Sequence, residues 1–188
     1  HGNAAMKILT LTHYFASHRG GIEIVAEQLG VALAKAGPAE IVWAASDGSP
    51  PPENFPGRCV GLECSNVVER RLGIPWPIPT PGALRRLSGL IDDADLILLH
   101  DTLYPTNIAA FLLARRRAKR VVIVQHIGHV PYRNILLNAA MKMANRFIAV
   151  PMLSNADRVV FISGLTAEYF SKRCTYRYPP AVIFNGIS

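Results

Sequence analysis

After Lys7 the chain reads Ile8-Leu9-Thr10-Leu11-Thr12, a short apolar and β-branched run, and then a polar loop over 13–21. That pattern predicts a buried strand and a turn. Ile22, Val25, Ala26, Leu29 and Leu33 follow at offsets 0, 3, 4, 7 and 11, one face of a helix that ends near Gly37-Pro38. A second strand over 41–45 comes next, and strand, helix and strand at this spacing predict a right-handed parallel unit. Residues 46–82 are irregular, with Pro50-Pro51-Pro52, a weak strand over 59–62 and Pro75, Pro77, Pro79 and Pro81 in alternation. Proline at that density excludes a helix interior or a central strand.

Regular alternation then resumes. Strands are predicted over 95–100, 121–125, 158–162 and 181–184, and helices over 107–117 and 166–172. Tyr132, Ile135, Leu136, Ala139, Ala140, Met143 and Phe147 keep helical spacing between them. Continuous apolar strands separated by helices imply an α/β fold, a Rossmann-like parallel sheet with helices on both faces. Ligands are expected beyond the carboxyl ends of its strands.

Composition narrows the class. With 188 residues, 50% hydrophobic and 18% charged, the chain suffices for one ordinary domain and is not disordered. A net charge of +7 favours phosphate, nucleic acid or an anionic membrane surface without choosing among them. No apolar run approaches the ~18 residues of a membrane span; the longest, 147–153, contains Pro151. Cys59, Cys64 and Cys174 are odd in number and form no C-x-x-C pair, which argues against a disulfide framework or a four-ligand zinc site and makes a reducing cytoplasm the simplest compartment. Residues 1–5 precede Met6 and read as a cloning remnant. Between positions 70 and 91 lie Arg70, Arg71, Arg85, Arg86 and Trp76 with no acid, a candidate docking surface for a membrane whose alternative is a set of solvated arginines.

Candidate chemistry sits in the loops after the strands. Gly20-Gly21 open the first helix, where free N–H groups and the helix dipole favour a phosphate; the alternative is an ordinary strand-to-helix turn. Neither G-x-G-x-x-G nor a Walker A loop is present. Two other strands deliver histidines to the same edge, His100-Asp101-Thr102 and His126-Ile127-Gly128-His129. A neutral imidazole there can bond a sugar hydroxyl or move a proton near neutral pH. His126 and His129 lack a recognisably spaced acidic or cysteine partner, which disfavours a metal. Asp93-Ala94-Asp95 precedes its strand and reads as a turn, while Arg115-Arg116-Arg117, Lys119 and Arg120 close a helix, where cations complement the dipole. Two other classes stay open on these residues: a nucleotide-binding oxidoreductase or regulatory Rossmann domain, for which Glu23 comes too early and Asp47 sits in a plain turn, and a basic nucleic-acid-binding module, for which aromatics are not interleaved with the basic residues.

Taken in order, Gly20-Gly21-Ile22-Glu23, Trp76-Pro77-Ile78-Pro79, His100-Asp101, His126, the run from Asp157 through Ser163 and Asn185-Gly186-Ile187-Ser188 resemble the amino-terminal, acceptor-side domain of family 4 (group 1) glycosyltransferases. Those enzymes pair two Rossmann-like domains in the GT-B arrangement. The resemblance implies a hexosyltransferase that retains configuration as it moves a sugar from a nucleotide-sugar donor to a lipid, glycan or small-molecule acceptor, without metal or other cofactor. It implies Gly20 and Gly21 near the donor diphosphate, His126 at the donor sugar as the catalytic histidine, and Glu23 steadying the loop. His18, Arg19, His100 and Asp101 would serve the acceptor. The leading expectation is a cytoplasmic protein with no nucleic-acid partner, peripheral at the inner membrane face through the basic, Trp76-bearing excursion. In the family the Asn-Gly-Ile-acid segment leads into a donor-binding domain, whereas this sequence stops at Ser188. The 188-residue chain is therefore expected to fold and to transfer nothing.

Overall fold

The structure, a computed structural model, describes residues 5–128 and 134–184. His129, Tyr132 and Asn185-Gly186-Ile187-Ser188 lie outside the described residues. In chain order come β1 (Met6–Leu11), a single 3-10 turn at Ala16–His18, α1 (Gly21–Ala36), β2 (Ala39–Ser46), β3 (Arg58–Leu62), β4 (Cys64–Ser65), α2 (Val67–Leu72), β5 (Ile78–Pro79) and α3 (Pro81–Asp93). There follow β6 (Leu96–His100), α4 (Pro105–Arg116), β7 (Arg120–Gln125), α5 (Ile135–Ala144), a π turn at Asn145–Ala149, α6 (Val150–Asn155), β8 (Arg158–Phe161), α7 (Gly164–Ser171) and β9 (Ala181–Val182).

Seven strands form one sheet in the order β3-β2-β1-β6-β7-β8-β9, every neighbouring pair parallel. The chain winds outward from β1 to β3, returns to lay β6 beside β1, and winds outward the other way. The strand order therefore reverses between β1 and β6, and a crevice opens there beyond the carboxyl ends.

Alternate residues feed two layers, as a strand's period of two requires. Leu9, Leu11, Ile97, Leu99, Ile123 and Phe161 enter the larger core, which α3, α4, α6 and α7 cover with Leu87, Ile91, Phe111, Leu153 and Phe170. Ile8, Ile41, Leu98 and Val124 face the other way, against Leu29 and Leu33 of α1. That second face keeps an open apolar groove of about 500 Å³ beside α1.

Helix starts follow local chemistry. Thr80 Oγ1 accepts from Ala83 N at 3.2 Å with Pro81 in the first turn, Asn134 Oδ1 accepts from Leu136 N at 2.9 Å, and Ser163 Oγ from Thr166 N at 3.2 Å. α4 begins at Pro105, earlier than the apolar pattern marks, because proline is tolerated in a first turn. The irregular stretch also holds one short helix: 67–72 is free of proline, and Gly73, at φ 66°, ends it in the left-handed conformation. The closing strand is shorter than expected, two residues rather than four.

The set spaced from Ile135 to Phe147 does form helix, yet it points outward: Ile135, Leu136, Met143 and Phe147 are 81%, 77%, 56% and 62% exposed. Two members of the basic cluster at the end of α4 find partners within the domain. Arg117 reaches Asp92 at 3.1 Å and the Ser88 carbonyl at 2.8 Å, and Lys119 Nζ donates to the carbonyls of Asp92 and Ala94. Among the described residues no helix is long and apolar enough to cross a membrane. Cys59, Cys64 and Cys174 are free thiols.

Candidate active site

The reversal between β1 and β6 brings three loops to one rim. The loop after β1 carries His13, its ring stacked on Tyr104 of the loop after β6 with centroids 3.9 Å apart and planes 3° from parallel. His126 follows β7, one strand further along. A cleft of about 340 Å³ opens here, lined by His13, Gly20, Gly21, Glu23, His126 and their neighbours. The paired glycines and the imidazole thus share one wall.

Gly20 and Gly21 differ in role. Gly20 has φ −81° and ψ 152°, which any residue adopts, but a Cβ there would stand 2.1 Å from Glu23 Oε2 and 2.8 Å from its Cδ. Its lack of a side chain makes room for the Glu23 carboxyl folded back over the helix start. Gly21 meets nothing within 4 Å, so its face is open to the cleft. Glu23 is completely buried, with His13 Nε2 at 3.1 Å and His18 Nδ1 at 3.6 Å from Oε1, yet neither of its oxygens has an aligned hydrogen bond. Burial pushes its pKa up, partly offset by its own backbone N–H and by His18.

His126 is half-buried, and burial lowers its pKa to about 4. It is a neutral imidazole at physiological pH, a hydrogen-bonding group rather than a cation. Its Nε2 lies 3.1 Å from Nδ1 of His100, so Nδ1 is the ring nitrogen that His100 does not use. His100 is wholly buried, and burial, with His126 beside it, lowers its pKa to about 3. His13 is driven to about 3 chiefly by burial, with His18 and His126 adding to it.

Asp101 lies under the same rim, 2% exposed and at φ 72°. Its carboxylate accepts from Thr102 N at 2.8 Å, Gln125 Nε2 at 2.8 Å and Ile127 N at 3.0 Å. Burial raises its pKa to about 6 against the pull of those donors. Asn107 Nδ2 donates to the carbonyls of His100 and Asp101, and Gln125 Nε2 donates also to that of Ile127. These bonds clamp the loop after β6 to the loop carrying His126. His100 and Asp101 therefore reach the cleft through the groups they hold rather than through exposed atoms of their own.

His18 and Arg19 stand at the outer lip, both exposed, Arg19 at φ 62° where the 3-10 turn ends. His18 stacks on Tyr14 at 4.2 Å and lies 3.3 Å from Glu69 Oε1, and the Tyr14 hydroxyl donates to Glu69 and, at 3.2 Å, to Asn66. Trp76 Nε1 donates to the Leu103 carbonyl at 2.6 Å. The proline-rich excursion is thus strapped across the rim. Among the described residues no three His, Cys, Asp or Glu side chains group as metal ligands.

Sequence reasoning passed over His13, Tyr104, Gln125 and Glu69. The rule that singled out His126, a histidine directly after a strand, applies equally to His13. No local signal marks Tyr104 or Glu69, whose partners lie far away in the chain.

A family model for glycosyltransferase family 4 matches residues 19–188. The chain belongs to glycosyltransferase family 4. Among solved structures, Acinetobacter baumannii MurG superposes with a TM-score of 0.55 at 12% identity, over 97% of this chain and 47% of that one. At that identity the likeness speaks for the fold, and the glycosyltransferase domain described here has the Rossmann-like form of one half of a GT-B protein. The chain spans less than half of that relative's length. No curated protein sequence matches it.

Proposed function

We propose that this domain forms the acceptor-side wall of a retaining glycosyltransferase, which moves a sugar from a nucleotide-sugar donor to an acceptor across the cleft beyond β1, β6 and β7. The observation that carries the reading is the shared wall: Gly20, Gly21 and His126 line one cleft at the strand-order reversal of a family 4 domain. Gly21 leaves its backbone open at a helix start, where a diphosphate gains from free N–H groups and the dipole. His126, held neutral and aimed by His100, offers Nδ1 to a sugar hydroxyl and stabilises the geometry of the reacting sugar. His18 and Arg19 at the lip meet the acceptor. His100 and Asp101 act as positioning residues beneath it.

Transfer further requires groups that neutralise the leaving diphosphate, and these belong to a second domain. The 188-residue chain alone is inactive on this account, and a two-domain protein containing it transfers. Proton NMR of the product tests the reading: the glycosidic bond keeps the donor's anomeric configuration. An inverted product, or turnover by the 188-residue chain alone, overturns it.

A further inference from the structure

Next to the cleft lies a second recess whose lining differs in kind. A groove of about 870 Å³ separates the end of α5 from the end of α7, lined by Lys142, Asn145, Arg146, Val150, Tyr169 and Arg173. Four-residue spacing stacks Lys142 and Arg146 on one helix face, and Arg173, two residues past α7, supplies the third cation. Among the described residues no carboxylate lines the groove, and the nearby Glu168 is held by Lys172 at 3.5 Å. Like charges gathered in one recess repel each other unless an anion sits among them.

The groups are held in place. The Arg173 guanidinium lies over the Tyr169 ring, 4.1 Å from its centroid, and Nη1 donates to the Tyr169 carbonyl. Asn145, 1% exposed, belongs to the groove wall. Its Nδ2 donates to the Gly128 carbonyl at 3.1 Å and to the Tyr169 hydroxyl at 3.4 Å, which fixes the amide and leaves Oδ1 as an acceptor without a partner. The groove also adjoins the site: Gly128 stands two residues past His126, and Ile127 between them lines the cleft. Two residues span at most about 7 Å, so the Asn145 wall is roughly one sugar ring from His126.

We propose that this groove is an acceptor subsite for a phosphomonoester, and that the acceptor is a phosphorylated sugar or polyol. Its phosphate lies among Lys142, Arg146 and Arg173, one of its hydroxyls donates to Asn145 Oδ1, and the hydroxyl that reacts reaches His126. The proposal rests on the reading of the cleft as the place where donor and acceptor meet, and it names the class of acceptor. Two arginine forks match phosphate oxygens, and three cations suit a monoester, which carries close to two charges, better than a diester, which carries one. A phosphate gripped at a set distance from His126 also orients the ring between them.

Titration of the 188-residue chain with glucose 6-phosphate, followed by amide NMR shifts, tests this with no donor present, so that its failure leaves the transferase reading untouched. The sugar phosphate should bind in the millimolar range. It should move the amides of Lys142, Asn145, Arg146 and Arg173 and, through its ring, those of Ile127 and Gly128. Glucose should move none of them. Inorganic phosphate, without the ring hydroxyl, should bind about fivefold more weakly and leave Ile127 and Gly128 in place. Arg146→Ser and Arg173→Ser should each weaken binding about tenfold, and Lys142→Ser about threefold. All three side chains are exposed, so the variants should keep the parent's melting curve. Changing Arg70 and Arg71 to Ser removes as much charge as changing both groove arginines, and it should leave binding unaltered. Several results overturn the proposal: no binding of glucose 6-phosphate, groove variants that bind like the parent, or equal loss in the Arg70 and Arg71 variant. So does equal or tighter binding of inorganic phosphate, or of glycerophosphoglycerol, since the occupant would then be a bare anion or a lipid headgroup.

Discussion

Gly20→Ala tests whether the paired glycines are there for the reason the geometry gives. The new Cβ would stand 2.1 Å from Glu23 Oε2 and 2.8 Å from both Cδ and Oε1, far inside contact distance. The carboxyl must leave a completely buried site shared with His13. Overpacking of this kind costs about 1–3 kcal/mol, which for a domain of this size lowers Tm by about 2–4 °C per kcal/mol. In a Glu23→Ala background the obstacle is gone, and Gly20, at φ −81°, takes alanine without strain. There the same change should be neutral or stabilise by about 0.4–1 kcal/mol, because it narrows the unfolded ensemble. Urea unfolding of the four proteins gives the coupling directly, expected at roughly 2–3 kcal/mol. Equal effects of Gly20→Ala in both backgrounds would refute the account. Gly21→Ala is the control: nothing lies within 4 Å, so it should be stable, and any loss it causes should appear in donor binding.

Three further outcomes follow from the buried network. His13, His100 and His126 are held neutral with pKa values near 3, 3 and 4, so as pH falls below about 6.5 the unfolded chain takes up protons that the folded one refuses. Asp101, raised to about 6, and Glu23 act in the opposite sense but are fewer. Urea unfolding should therefore show stability falling between pH 6.5 and 4; a flat profile contradicts the burial of the imidazoles. His100→Leu removes a buried ring nitrogen without a partner along with the bond to His126, so stability should change by no more than about 1 kcal/mol, while kcat of the two-domain enzyme falls more than its KM changes. Unchanged kcat would make His100 purely structural. Tyr14→Phe cuts the ties to Glu69 and Asn66, and hydrogen exchange should quicken over 66–80 ahead of the sheet; uniform exchange would show that the strap is held otherwise.

The sheet was legible because central strands such as 96–100 and 121–125, covered on both faces, must be continuous apolar runs. The site was legible to the extent that the carboxyl ends of those strands locate a crevice, which placed Gly20, Gly21 and His126 on one wall. What sequence could not give was depth. His100 and Asp101 sit as close to a strand end as His126 does, but they face inward, and which side a post-strand residue takes depends on neighbours contributed by other strands. The stripe from Ile135 to Phe147 shows the converse: helical periodicity marks a face without saying which way it points, and here the face looks out. Proline density hid the short helix at 67–72, since proline forbids structure only where it stands.

The central claim, that one neutral imidazole at the reversal of the sheet serves the reacting sugar, is tested most directly by His126→Ala in a two-domain protein carrying this chain. His126 is half-buried at the cleft wall, so the variant should fold with near-parental Tm. Steady-state transfer from the nucleotide-sugar should drop on the order of a hundredfold or more in kcat, as when a preorganised hydrogen-bonding group is lost. Near-parental kcat in a folded variant would contradict the account and remove His126 from the chemistry.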